Sequence, residues 1–107
     1  MVDYRKYKVW QKSHQLVLDV YAITSHFPKE EQFNLVSQIN RAAVSIPTNI
    51  AEGCGRETKK ELIRFLYISS GSAYELEYLL FLSIELKIKA VENTIKYLLK
   101  LMRLNGC

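Results

Sequence analysis

The 107-residue sequence has few residues that interrupt helices, with four glycines and two prolines. It has only two cysteines, Cys54 and Cys107, which form neither a CxxC motif nor a paired framework. We therefore expect reduced thiols in a cytoplasmic protein rather than a disulfide-stapled secreted one. The N-terminus lacks the apolar run of a signal peptide, and the run LLFL is far too short to span a membrane. The sequence thus predicts neither export nor a membrane partner.

Hydrophobic residues make up 49% of the chain, which excludes a disordered tail. The length predicts a single domain over residues 1–107 that buries its own core. The formal net charge of +4 permits anionic partners without requiring them.

The apolar residues recur at spacings of three and four, which is typical of one face of a helix. The predicted helices span about residues 7–26, 29–52, 58–86 and 91–104. Pro47 falls inside the second and is expected to kink it. Gly53 and Gly55 are expected to form the following turn, and TKKE, at 58–61, to be a capping box. Short connections and no alternating strand pattern predict an all-α, antiparallel up-down-up-down four-helix bundle.

The long third helix carries two apolar stripes. The first is expected to be the bundle seam, and consists of Leu62, Leu66, Ser69, Ala73, Leu76 and Leu80. Within this helix Gly71 is expected to allow close packing of a neighbouring backbone. The second stripe, called here the tyrosine column, consists of Ile63, Tyr67, Tyr74, Tyr78 and Phe81. We expect it to be covered by self-association, because exposed apolar patches mark interfaces; alternatively, its rings lean onto the first and fourth helices.

The segment GCGRET resembles a nucleotide-binding loop only superficially. The dinucleotide fingerprint G-x-G-x-x-G needs a third glycine where Thr58 stands, and it must follow a strand. Neither His14 nor His26 has the Glu three residues earlier that di-iron bundles use. No nucleophile is aligned with a base. The sequence therefore predicts no cofactor, no metal, no catalytic residue and no enzyme activity.

A basic cluster at the start of the third helix is the best candidate binding feature. It consists of Arg56, Lys59, Lys60 and Arg64, with Arg41 as a further candidate. A helix N-terminus with added cations suits a phosphate, which predicts contacts to the backbone of RNA or DNA. The alternative is a solvated turn balanced by Glu57 and Glu61.

Polar side chains flank the apolar stripe of the second helix. We expect Ser45, Asn49 and Glu52 to form a structural network with backbone or with side chains such as Arg41, because buried polar groups need partners. A chemical role for the same residues is the alternative.

Three stretches, VWQKSHQLVLDVY, FPKEEQFNLVSQINRAAVSIPTNIAEGCGR and ELIRFLYISSGSAYELEYLL, closely resemble the four-helix-bundle family of bacterial 23S rRNA intervening-sequence proteins. The most specific element is S-I-P-x-N-I-A-E-G, at 45–53. The resemblance implies an antiparallel bundle that assembles as a ring-like homopentamer. A related branch resembles the accessory variability determinant of diversity-generating retroelements, which works with a reverse transcriptase and nucleic acid. The family brings no catalytic residues.

Together these features predict a cytoplasmic, non-enzymatic, self-associating bundle that binds RNA or DNA weakly and without sequence preference. The competing hypothesis is a scaffold that holds another protein and has no nucleic-acid role.

Overall fold

The computed structural model describes residues 2–86, 88 and 91–104. Its four α-helices are α1 (Lys8–Thr24), α2 (Leu35–Cys54), α3 (Lys59–Glu85) and α4 (Glu92–Leu104). Single 3-10 turns, Tyr4–Lys6 and Lys29–Glu31, precede α1 and α2. No described residue lies in a strand, so the predicted all-α class is confirmed.

Contacts between neighbouring helices show that α2 and α3 are antiparallel. Ser45 of α2 meets Ser72 of α3, whereas Gly53, eight residues further along α2, lies against Leu62 and Phe65, near the start of α3. The Arg103–Glu77 ion pair and the bond from the Ile88 N–H to the Ser83 carbonyl show the same reversal between α3 and α4. The core between the helices includes Val20, Ile39, Ile50, Leu76, Leu80 and Ile95, all fully buried.

The predicted start of the second helix at residue 29 is wrong. Residues 29–31 form a 3-10 turn, and α2 begins only at Leu35 after Asn34, whose φ and ψ are −113° and −95°. The intervening segment offers no apolar side to the core, because Phe33 is 87% exposed. Without burial, one turn of helix gains too little to propagate. Further along, α2 continues through Pro47 as predicted.

The glycines at the end of α2 act differently from the prediction. Gly55 has an ordinary right-handed conformation, with φ −85° and ψ −4°, and Gly53 lies inside the helix. A Cβ on Gly53 would lie 3.0 Å from the Phe65 Cβ and 3.1 Å from the Leu62 Cδ1. Gly53 therefore permits the close approach of α2 to α3, rather than a flexible turn.

One of the two hydrogen bonds of the predicted capping box is present. The Thr58 hydroxyl accepts a hydrogen bond from the Glu61 N–H at 3.2 Å. The Glu61 carboxylate accepts a hydrogen bond from the Arg64 Nε at 3.1 Å, so it pairs with a side chain of α3.

The expected close packing at Gly71 is wrong. Gly71 is exposed, and a Cβ added there would meet nothing within 4 Å. The close contacts with α2 are made by the neighbouring serines instead. Ser69 donates to the Ile46 carbonyl at 2.9 Å, and the Ser45 and Ser72 hydroxyls lie 2.8 Å apart.

The predicted seam is not buried along its whole length. α4 has 13 residues and α3 has 27, or about 20 Å against about 40 Å of helix. Leu76 and Leu80 are fully buried beside α4, but Leu66 is 37% exposed. An apolar groove of about 410 Å³ lies there between α1 and α3, with the last turns of α4 at one end.

Candidate nucleic-acid interface

The antiparallel arrangement gathers the N-terminal segment, the turn between α2 and α3 and the first turns of α3 at one end of the molecule. The Val2 N–H donates to the Cys54 carbonyl at 3.1 Å, which fixes the N-terminal segment against this turn. Eight of the fifteen Lys and Arg residues lie here, all exposed: Arg5, Lys6, Lys8, Lys12, Arg56, Lys59, Lys60 and Arg64. The acidic residues at this end are Asp3, Glu52, Glu57 and Glu61. We call this region the basic end; its cations outnumber its acids by eight to four.

Lys59 and Lys60 occupy the first turn of α3 and are exposed. Within the described part of the chain, neither ammonium has a carboxylate within ion-pair distance. Thr58 satisfies the N–H of Glu61, whereas the N–H groups of Lys59 and Lys60 precede the first intrahelical bonds. Two unpaired ammonium groups and two outward backbone donors thus share one exposed helix start, which favours an anion.

Arg56 and Arg64 both lie over the ring of Phe65. Their guanidinium carbons lie 4.8 and 4.7 Å from the centroid of Phe65, which is itself buried. Arg56 pairs with Glu52 at 3.8 Å and Arg64 with Glu61 at 3.1 Å. Both pairs are exposed, so they are worth well under about 1 kcal/mol each, and a phosphate can compete for the guanidinium groups.

Arg41 lies away from the other candidates. It is exposed on the first half of α2, beside a shallow groove with Phe33 and Val44. It stands fifteen residues before Arg56, or about 20 Å along the helix. The structure therefore brings four of the five predicted contacts together and leaves Arg41 apart.

Asn49 lies in a polar network at the α2–α3 contact. Its side-chain amide donates to the Ser45 carbonyl at 2.7 Å and to the Ser45 hydroxyl at 2.9 Å. That hydroxyl lies 2.8 Å from the Ser72 hydroxyl on α3. Glu52 lies outside this network: it is exposed and pairs with Arg56 rather than Arg41.

The tyrosine column faces outward in the single chain. Tyr67, Tyr74 and Tyr78 are 74%, 66% and 59% exposed, and Ile63 and Phe81 about half exposed. Only its second half comes near α4, at a shallow groove shared with Leu99 and Arg103. The column is therefore available to a partner along its length.

The N-terminal segment is a part of the basic end that the sequence reasoning missed. Tyr4 meets Trp10 edge to face with 5.0 Å between ring centroids, and Trp10 stacks on His14 at 5.0 Å with 6° between planes. The signal was present in YRKYKVWQKSH, at 4–14, where four cations alternate with aromatic residues. Such interleaving is typical of nucleic-acid contacts.

Groups suited to other chemistry are sparse. No cluster of three or more His, Cys, Asp or Glu in the described residues could hold a metal ion. Cys54 is buried, and burial raises the pKa of its thiol, which opposes nucleophilic reactivity. The described helices include none with the length and apolar character needed to cross a membrane.

The chain was compared with models of known protein families. A family model described as 23S rRNA-intervening sequence protein matches residues 5–105. No curated protein matches the chain. The matched range includes all four helices, the tyrosine column and nearly all of the basic end.

Proposed function

The chain belongs to the 23S rRNA-intervening sequence protein family, and from that premise we propose that it is a non-enzymatic, self-associating cytoplasmic protein that binds RNA or DNA through backbone phosphates. The observation that carries the proposal is the exposed Lys59–Lys60 pair at the start of α3, within an end where cations outnumber acids by eight to four. Phosphate contacts of this kind carry no base sequence, so binding is tolerant of sequence.

In this proposal the cations take different parts. Lys59 and Lys60 have no competing carboxylate among the described residues and make the first contacts. Arg56 and Arg64 bind further phosphates, which displace the exposed glutamates from their ion pairs. Three to four such contacts give a binding constant that falls by roughly three powers of ten per tenfold rise in salt.

Self-association strengthens weak binding by repetition. The tyrosine column supports an interface, because tyrosine and phenylalanine are enriched where protein surfaces meet. A ring-like homopentamer, which the family resemblance implies, would present several basic ends to one strand. After the first copy has bound, the basic ends of the other copies are held close to the same strand at a high effective concentration. Weak individual contacts therefore combine into stronger overall binding.

A scaffold for another protein is the second candidate function. It is favoured by the exposed column and by Phe33, which is 87% exposed on a different part of the surface. In that case the column or its surroundings hold a protein partner, and the basic end is only a solvated surface.

Salt-titrated binding to a panel of single-stranded RNA, single-stranded DNA and duplex DNA tests the proposal. The variant Lys59→Gln/Lys60→Gln should weaken binding at least about fivefold, because two phosphate contacts are lost. Each lost contact should also lower the salt slope by about one. The matched control, Lys29→Gln/Lys96→Gln, removes the same charge from the other half of the molecule and should bind as the parent does.

Two results would overturn the nucleic-acid proposal. One is no affinity for any member of the panel near 50 mM salt, a condition where phosphate contacts are strong; this result favours the scaffold. The other is equal loss in both double variants, which would mean that net charge rather than the basic end governs binding.

A further inference from the structure

The three rings of Tyr4, Trp10 and His14, called here the aromatic ladder, lie in contact along the first 3-10 turn and the start of α1. Trp10 lies between the other two, with both centroid distances at 5.0 Å. The imidazole is parallel to the indole within 6°, and His14 is exposed. A further flat ring can therefore stack on the imidazole and extend the ladder.

The ladder is held in place before any ligand arrives. The Gln11 side-chain amide donates to the Arg5 carbonyl at 2.9 Å, which ties the 3-10 turn to α1. The Asp3 carboxylate accepts from the Arg5 N–H at 3.1 Å and caps that turn. Tyr4 and Trp10 also pack against the hydrophobic core. A preorganised platform loses little freedom when it binds.

Positive charge accompanies the rings. Arg5, Lys6 and Lys8 are exposed within the same short segment. Asp3 is the one acidic residue before Asp19, and it already pairs with Arg5 at 3.2 Å. Lys6 and Lys8 have no carboxylate within ion-pair distance in the described residues. Phosphates next to a stacked base would meet cations on this segment.

We propose that the aromatic ladder binds single-stranded nucleic acid, with an unpaired base stacked on His14 and adjacent phosphates on Lys6 and Lys8. This inference rests on the proposed function and names its substrate class. In a duplex the bases stack on one another and their faces are covered, so a duplex can use the cations of the basic end but not the ladder. Stacking accepts any base, because every base has a flat π-face, so sequence tolerance is retained.

The fluorescence of Trp10 reports directly on this site, because it is the only tryptophan in the chain. The full chain is titrated with a single-stranded oligonucleotide of about twelve nucleotides, within the usual site size of such proteins, and with a duplex of equal length. We expect the single strand to change the Trp10 emission and to bind more tightly than the duplex.

His14→Ala should weaken single-strand binding at least about fivefold, the lower bound for one lost base stack, and leave duplex binding unchanged. His14 is exposed, so this variant keeps the core intact. His26→Ala is the matched control, because His26 is also exposed but lies after α1, at the opposite end. It should bind both ligands as the parent does.

The outcomes separate this inference from the proposed function. Single-strand binding that needs Lys59 and Lys60 but leaves the Trp10 emission and the His14→Ala affinity unchanged overturns the ladder alone. Equal affinity for single strand and duplex does the same. No binding of either ligand near 50 mM salt overturns both proposals.

Discussion

The Ser69 hydroxyl on α3 donates a 2.9 Å hydrogen bond to the Ile46 carbonyl on α2, immediately before Pro47. Pro47 has no N–H, so the Ala43 carbonyl lacks its helical partner. α2 nevertheless runs on to Cys54. The serine joins the two helices beside the proline, and its small side chain lets the backbones approach. The proline is thus accommodated at a site where tertiary contacts support the helix.

Ser69→Ala should lower the free energy of unfolding by about 1 kcal/mol, because one buried hydrogen bond is lost. The cost stays small because the Ile46 carbonyl lies within α2 and can keep its helical hydrogen bond. The midpoint of urea unfolding measures the change. Ser70→Ala is the control: Ser70 is exposed on the same helix, and alanine favours helix, so stability should hold or rise slightly. Equal midpoints for the two variants would show that the interhelical bond contributes nothing.

The two glycines that were assigned wrongly from the sequence should respond in opposite directions to alanine. Gly53→Ala places a methyl group 3.0 Å from the Phe65 Cβ, and overpacking of this kind costs about 1–3 kcal/mol. Gly71→Ala meets open space and should stabilise α3 by up to about 1 kcal/mol. Thermal unfolding of both variants at one protein concentration tests the pair. A destabilised Gly71→Ala chain would mean that this face is packed in solution.

The four helices could be predicted because their periodic apolar residues are local information. The burial of each residue could not, since it depends on what lies opposite. Leu66 and Leu76 fall on the same stripe of α3, yet Leu76 is fully buried and Leu66 is 37% exposed beside the groove. The length of α4 relative to α3 is a tertiary fact, and a helical wheel of α3 alone does not contain it.

Leu76→Ala should therefore lower the free energy of unfolding by about 2–5 kcal/mol, the usual result for a fully buried leucine. Leu66→Ala should cost about 1 kcal/mol or less, because that side chain is already 37% exposed and leaves no closed cavity. Chemical denaturation of both variants gives the comparison. A similar loss in the two would indicate that the groove beside Leu66 is filled in solution.

In the candidate site, too, the local pattern could be predicted from the sequence and the tertiary contacts could not. Arg56, Lys59, Lys60 and Arg64 lie within nine residues, so a single turn had to bring them together. The segment YRKYKVWQKSH carries a local pattern of rings and cations, but its place at this end depends on the bond from the Val2 N–H to the Cys54 carbonyl, a contact that no local pattern encodes. Arg41 was grouped with the others by its charge, although the helix places it far from the turn.

Self-association through the tyrosine column can be tested by charge. Tyr74→Glu places a carboxylate in the middle of the exposed column, where burial against another copy would be costly. We expect sedimentation velocity at tens of micromolar to show an assembly for the parent chain and a smaller species for the variant. Tyr97→Glu is the control, because Tyr97 is equally exposed, at 63%, but lies on α4. A monomeric parent would contradict the interface.

The ionisation and reactivity of the Cys54 thiol test the packing at the end of α2 and require no binding partner. The thiol is 2% exposed, and burial raises its pKa above the ordinary value of 9.0. The folded state therefore binds the thiol proton more tightly than the unfolded state does. This preference changes nothing below pH 9, where both states are protonated, and it lowers stability as the pH rises through and above 9.

We expect the Cys107→Ser variant, in which Cys54 is the only thiol, to resist a disulfide reagent at pH 8 when folded and to react fully in urea. Its stability should fall more steeply above pH 9 than that of the doubly substituted Cys54→Ala/Cys107→Ser chain, since only the first can ionise this thiol on unfolding. Rapid reaction of the folded chain would show that the contact between the end of α2 and the start of α3 opens readily. Because the basic end is built on that contact, opening there would also loosen the geometry on which phosphate binding depends.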